Sequence, residues 1–280
     1  MNSPFTAVPV EVVRDFWDRR PCNLRHSPAA IGTRQYFDEV EWRKYFVEPH
    51  IPSFADFRRW AGKRVLEIGC GLGTDTINFA RAGALVTAVD LTPRAIALAR
   101  QRAEVFGLAD RIRFVEADAE RLSEAVTPEP YDLVYSFGVI HHSPHPDRIL
   151  REIRTHFAGA GTTLKVMVYH RWSWKVLAIL LREARGAWWR IDEAVARNSE
   201  AQSGCPVTYI YSRREAGELF GAAGFTVTDA VVDHIFPYRV RDYVEYRYEK
   251  AHPFRWLPPG AMRALERRLG WHLCLTARPL

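Results

Sequence analysis

Between Arg64 and Tyr169 the chain alternates short, unbroken apolar runs with longer stretches whose apolar residues recur at helical spacing. Arg64–Ile68 (RVLEI) predicts a buried strand, and the stretch from Thr74 to Ala82, closed by Gly83, predicts a helix. Leu85–Val89 predicts the next strand, closed by Asp90. Thr92-Pro93 then supplies an N-cap followed by proline at the first helical position, opening a helix through about Phe106. Ile112–Glu116, Tyr131–Phe137 and Thr162–Tyr169 predict three further strands, with a helix over Pro146–Phe157 before the last of them. Strands and helices in this order predict parallel pairing through right-handed crossovers.

The flanks have a different rhythm. Val10–Trp17 predicts one helix in an otherwise irregular start. Arg34 to Trp60 predicts two short amphipathic helices interrupted at Pro49 and Pro52. After the fifth strand, Ser173 to about Asn198 reads as a long helical stretch carrying Trp174, Trp188 and Trp189. Ser212–Ala223 reads as a helix with Ser212 as N-cap, ended by Gly224. Phe225–Val232 and Trp271–Ala277 are strand-like, separated by an Arg- and Tyr-rich segment, Ile235–Gly270. The predicted organisation is a helical N-terminal cap (1–60), a core (61–170), a helical insertion (171–211) and a C-terminal part of the core (212–280) that contains the insertion 235–270.

Composition narrows the class. With 280 residues, 48% of them hydrophobic and 26% charged, the chain is that of an ordinary globular protein. The longest apolar run, Val176–Leu181, is far short of the roughly 20 residues of a membrane helix. The first residues lack the pattern of a secretion signal, so cytoplasmic location is the expectation. Cys22, Cys70, Cys205 and Cys274 show no metal-ligand spacing, which predicts reduced thiols, no disulfide framework and no structural zinc. The net charge of +6 is not gathered into a basic block, but 235–270 holds eight Arg/Lys against four Asp/Glu.

The chemistry begins at VLEIGCGLG, residues 65–73. A dinucleotide fingerprint counted from Gly69 and Gly71 places Thr74 where a third small residue should stand, and no Gly-Lys-Ser/Thr follows to hold a phosphate. Asp90, 17 residues after Gly73, ends the second strand, where a carboxylate can accept both hydroxyls of a ribose. Asp118 and Ala119 follow the third strand, where a carboxylate and an amide can meet an adenine. The constellation reads as an adenosine site without phosphate machinery.

These stretches resemble the class I S-adenosylmethionine-dependent methyltransferases of the small-molecule, type 11-like branch. VLEIGCGLGTDT is similar to that family's first motif, TAVDLTPRAI to its second, VEADAERL to its adenine motif and YDLVYSFGVIHH to its fourth-strand motif. The resemblance implies an α/β fold with a Rossmann-like, seven-stranded, mostly parallel sheet whose last strand is antiparallel. Helical N-terminal and inserted cap segments accompany it. S-adenosyl-L-methionine is the implied cofactor. Glu67 with Gly69, Cys70, Gly71 and Gly73 is expected to hold its methionine portion. Asp90 and Leu91 are expected at the ribose, Asp118 and Ala119 at the adenine, and Ser136 and Phe137 at the sulfonium. Tyr36 or Phe37, from the N-terminal helices, is expected to fold over the sulfonium by cation–π attraction.

Methyl transfer from a sulfonium needs alignment, water exclusion and sometimes a base, so no metal is expected. His141 and His142, just past the fourth strand, are the expected general bases. The place of the Asp/Asn-Pro-Pro-aromatic run of nucleobase-amino methyltransferases is taken by Ser136-Phe137-Gly138-Val139, which argues against that group. The expected partner is a small organic acceptor such as a natural-product, sugar or lipid precursor. No nucleic acid is expected, and Trp188 and Trp189 leave room for contact with a lipid surface. Two other readings stay open: an NAD(P)-dependent oxidoreductase, disfavoured by Thr74 and by Asp118 in an adenine-reading position, and a non-catalytic protein retaining the cofactor fold.

Overall fold

In a computed structural model, residues 4–183, 191–199 and 204–280 are described. Eight strands form one sheet: β1 (Arg64–Ile68), β2 (Leu85–Asp90), β3 (Ile112–Glu116), β4 (Leu133–Phe137), β5 (Thr163–His170), β6 (Ile210–Tyr211), β7 (Phe225–Asp233) and β8 (His272–Pro279). Their order is β3-β2-β1-β4-β5-β8-β7, and β8 runs antiparallel to both neighbours. The seven long strands match the expected arrangement. The additional β6 is two residues that pair in parallel with Tyr169 and His170.

The central strands are apolar on both faces because helices cover both. Leu66 and Ile68 of β1 join one core with Val134, Ile149, Leu164 and Phe220. Val65, one residue out of phase, joins another with Ile77, Phe79, Ala99 and Tyr135. The helices are α1 (Val10–Arg19), α2 (Arg34–Val47), α3 (Ile51–Ala55), α4 (Thr74–Arg81), α5 (Pro93–Val105), α6 (Pro146–Glu152), α7 (Trp174–Arg182) and α8 (Ile191–Arg197). They are followed by α9 (Arg213–Ala222), α10 (Val240–Val244) and α11 (Pro259–Leu269). Ser212 and Glu215 complete a capping box at α9, as a serine followed three residues later by glutamate allows.

The predicted long helix after β5 is corrected: α7 stops at Arg182, and α8 is a separate helix packed on it. Trp188 and Trp189 lie outside the described residues. The segment joining β7 to β8 carries α10, a 3₁₀ turn at Phe254–Trp256 and α11. Strand order reverses between β1 and β4, so a crevice opens at the C-terminal ends of these strands.

Candidate active site

The crevice is a cavity of about 840 Å³ with two chemically different ends. The first is built from backbone turns at the tips of β1, β2 and β3. Gly69 has φ +78°, and a Cβ there would meet Val139 Cγ2 at 2.1 Å, so only glycine lets the turn pass under the β4 loop. The amides of Gly69 and Cys70 both donate to Val89 O, at 2.7 and 2.9 Å, which pins the turn to the end of β2. Asp90 Oδ2 accepts from Gly71 N at 2.9 Å, and Oδ1 accepts from Thr92 N and Thr92 Oγ1 at 3.0 and 2.9 Å.

That arrangement limits what Asp90 offers a ligand. A carboxylate has about four acceptor positions, and three are taken. A bidentate grip on a ribose, as the sequence suggests, therefore requires one of these bonds to be given up. Burial raises the Asp90 pKa, and its bonds to Gly71 and Thr92 offset only part of that effect. Leu91, Asp118 and Ala119 line the same end. Asp118 Oδ1 accepts from Glu120 N at 2.9 Å, which orders the turn after β3.

Several residues expected at this end stand behind it. Gly73 is not in the cavity wall; it starts α4 with φ +71°, and a Cβ there would lie 3.1 Å from Ala99 Cβ on α5. It does the close-packing work a third glycine does in dinucleotide folds, one position early. Glu67 is buried outside the wall and accepts from Thr76 Oγ1 at 2.5 Å. Burial, reinforced by the negative charge of Asp75, pushes its pKa up from 4.5 to about 8. Ser136 is fully buried, its hydroxyl unpartnered, whereas Phe137 lines the cavity.

Tyr36 does not fold over the cavity. It is fully buried against Phe37, Val40 and Leu72, with its hydroxyl donating to Leu24 O at 2.8 Å. The inward stripe of α2 reaches the cavity two turns later, at Lys44 and Val47. Lys44 Nζ pairs with Asp75 Oδ1 at 2.8 Å, and the hydroxyls of Tyr45 and Tyr135 donate to the same carboxylate, each at 2.9 Å. Burial alone would lower the Lys44 pKa, but Asp75 more than offsets it and the pKa is raised. Lys44 and Asp75 escaped sequence reasoning; the available signal was a lysine on the inward stripe of an amphipathic helix.

The second end is walled by side chains from α7, from β5 and β8, and from the segment between β7 and β8. Met167, Tyr169, Trp174, Ile179, Phe236 and Phe254 make it largely apolar. Among them sits a group of imidazoles. His272 Nδ1 lies 3.0 Å from His50 Nε2, and His272 Nε2 lies 3.5 Å from Glu48 Oε1. The His234 and His272 rings are 4.6 Å apart. Burial lowers His234 to about 3 and His50 to about 4, and pushes His272 well down, so all three are neutral at pH 7.

His141 and His142 are corrected as general bases. His141 is fully buried outside the cavity wall, stacked 4.0 Å from Tyr169, with both ring nitrogens lacking hydrogen-bond partners. His142 does line the cavity, but Nδ1 sits 2.8 Å from Val207 O and so carries the proton, while Nε2 is buried. Neither offers an acceptor an exposed basic nitrogen.

The donor set suits an adenosine-bearing cation: carboxylates at the tips of β2 and β3, and glycines where a ligand must come close. Residues 60–186 match the family described as a methyltransferase domain. The match covers less than half of the chain and makes this stretch similar to methyltransferase domains. An uncharacterized protein of Synechococcus sp. is 31% identical over 183 residues, 62% of this chain and 42% of that protein. A ubiquinone biosynthesis O-methyltransferase of Aeromonas salmonicida is 36% identical over 94 residues, 34% of this chain and 38% of the enzyme. The chain thus spans less than half the length of these curated relatives.

Among solved structures, magnesium protoporphyrin IX methyltransferase from Synechocystis PCC 6803 with bound S-adenosylhomocysteine superimposes with a TM-score of 0.59 at 15% identity. That match covers 97% of this chain and all of the other. The [4+2]-cyclase SpnF superimposes with a TM-score of 0.58 at 19% identity, over 96% of this chain and 95% of its own. S-adenosylmethionine is the cofactor of the methyltransferase family. The cyclase shows that the fold alone does not name the reaction. Among the described residues no helix is long and apolar enough to cross a membrane.

Proposed function

We propose that the protein transfers a methyl group from S-adenosylmethionine to an oxygen of a small, largely apolar organic acceptor. One observation carries the reading: Asp90 and Asp118 open into the same cavity as the aromatic wall formed by Trp174, Phe236 and Phe254. When bound, the cofactor supplies an electrophilic methyl on a sulfonium. Gly69, Cys70 and Gly71 seat the methionine part, Asp90 and Leu91 the ribose, and Asp118 and Ala119 the adenine. Glu67 stands behind this seat, where its bond from Thr76 ties the end of β1 to α4. Phe137 and Tyr169 keep water from the reacting centre, and the wall holds the acceptor in line with the methyl.

The wall supports an aromatic or hydrocarbon acceptor over a sugar. Lys175 and Arg182 also line it and suit an acceptor with an anionic group. Names of similar proteins agree with this class: several curated relatives are ubiquinone biosynthesis O-methyltransferases. A structural neighbour, NcsB1, is described with a hydroxylated naphthoic acid at 17% identity. Nucleic acid is disfavoured because the sequence holds no run of five or more Lys/Arg.

The test is calorimetric titration of the full chain with S-adenosylmethionine, S-adenosylhomocysteine and NADH, followed by radiolabelled methyl transfer to hydroxylated benzoic and naphthoic acids. Binding of the two sulfur ligands and label in an aromatic acid ester or ether are expected. Binding of NADH alone would overturn the cofactor assignment, and cofactor binding with no labelled acid would overturn the acceptor class.

A further inference from the structure

We propose that Glu48, His234 and His272 form a binding site for one divalent transition-metal ion in the wall of the acceptor end. One ligand atom from each lies within 4.8 Å of the other two, and all three residues line the cavity. With three protein ligands, an ion held there would have coordination positions left over for water or an acceptor group.

The three side chains come from separate parts of the fold. Glu48 caps the C-terminus of α2, His234 follows β7 and His272 opens β8. His234 takes φ +68°, a left-handed conformation that costs a non-glycine residue energy. It is held there by its amide, which donates to Asp233 Oδ1 at 2.7 Å, and by its carbonyl, which accepts from Trp271 N at 2.6 Å. Asp233 is in turn held by Arg263 at 2.6 Å. His50, 3.0 Å from His272 Nδ1, fixes that ring so that Nε2 faces Glu48. Such an outer partner orients a ligating imidazole.

Two neutral imidazoles and one carboxylate suit Zn²⁺, Fe²⁺ or Co²⁺ better than Mg²⁺, which prefers oxygen ligands. Two histidines and a glutamate also form a known zinc set that leaves a fourth position open. The same rings serve poorly as general bases, because a base works best with a pKa near the working pH. An acceptor hydroxyl ligating the ion would give its proton to bulk water. Its oxygen would then form the new O–C bond as the C–S bond breaks. That role rests on the methyl-transfer reading; the binding of the ion does not.

The test uses tag-free full chain, stripped with chelator and dialysed, titrated with Zn²⁺ by equilibrium dialysis and with Co²⁺ by visible absorption. No cofactor or acceptor is present, so the outcome is independent of methyl transfer. One ion per chain is expected. Glu48→Gln and His272→Ala, which each remove a direct ligand, should weaken Zn²⁺ binding by at least the roughly 10- to 100-fold typical of losing an outer partner. His252→Ala, which alters a cavity histidine outside the group, should leave it unchanged. Should the variants fail to fold, Co²⁺-induced paramagnetic shifts of two histidine rings in the unmutated chain carry the test. Absence of stoichiometric binding, equal affinity in the folded variants, or no shifted histidine ring would overturn the site.

Discussion

The two ends of the cavity are made by opposite means. At the cofactor end the chain turns sharply three times, at Gly69–Gly71, at Asp90–Thr92 and at Ala117–Ala119, and nearly every important bond joins residues close to a strand tip. At the acceptor end side chains converge from distant segments; His50 and His272, in contact, are 222 positions apart. A surface built from local turns is fixed once the sheet has formed. One assembled from distant side chains depends on every segment docking in register.

Lys44 links the two, and its loss should have the largest effect. Lys44→Met leaves Asp75 buried without its cation, and removing one partner of a buried pair costs about 3–5 kcal/mol. Chemical denaturation should show a loss of that size. A loss under about 1 kcal/mol would mean that Tyr45 and Tyr135 alone satisfy the carboxylate.

Asp90→Ala comes next. It removes the acceptor of Gly71 N and of both Thr92 donors, and charge-assisted bonds of this kind are each worth about 1.5–3 kcal/mol. Cofactor affinity should fall roughly 10- to 150-fold in a calorimetric titration. Unchanged affinity would separate Asp90 from the ligand and leave it as a brace for the turn.

Trp174→Ala should have the smallest effect and sharpen the contrast most. Trp174 is 36% exposed and packs on Phe254 at a ring distance of 5.8 Å, so its truncation costs about 1 kcal/mol of apolar contact. The acceptor KM should rise roughly fivefold while cofactor affinity stays the same. A matching loss in cofactor affinity would show that the two ends are not separable.

The same contrast explains what could be read from the residues alone. The predicted ends of β1 and β3 coincide with the observed ones, and Asp90, Asp118 and the first two glycines reach the cavity, because each belongs to a short local pattern. Tyr36 misled because an amphipathic stripe shows which residues turn inward but not what they meet. His141 and His142 misled for a related reason: adjacency to a strand tip does not say that a ring nitrogen faces the cavity. Glu48, His234 and His272 left no local signal, since only the closing of β8 between β5 and β7 brings them together.

Arg43 stands one residue before Lys44 on α2 and is almost wholly buried. Its guanidinium carbon lies 4.0 Å from the centre of the Tyr243 ring and 4.4 Å from that of Tyr246, and Nη2 donates to Tyr243 O. The roof strap around α10 is therefore riveted to the helix that also carries Lys44, and through Asp75 to the floor beside the glycine turn. Roof and floor are cross-braced before any acceptor arrives. The entropy of shaping the chamber is lost during folding, so an incoming molecule is judged by a form already set.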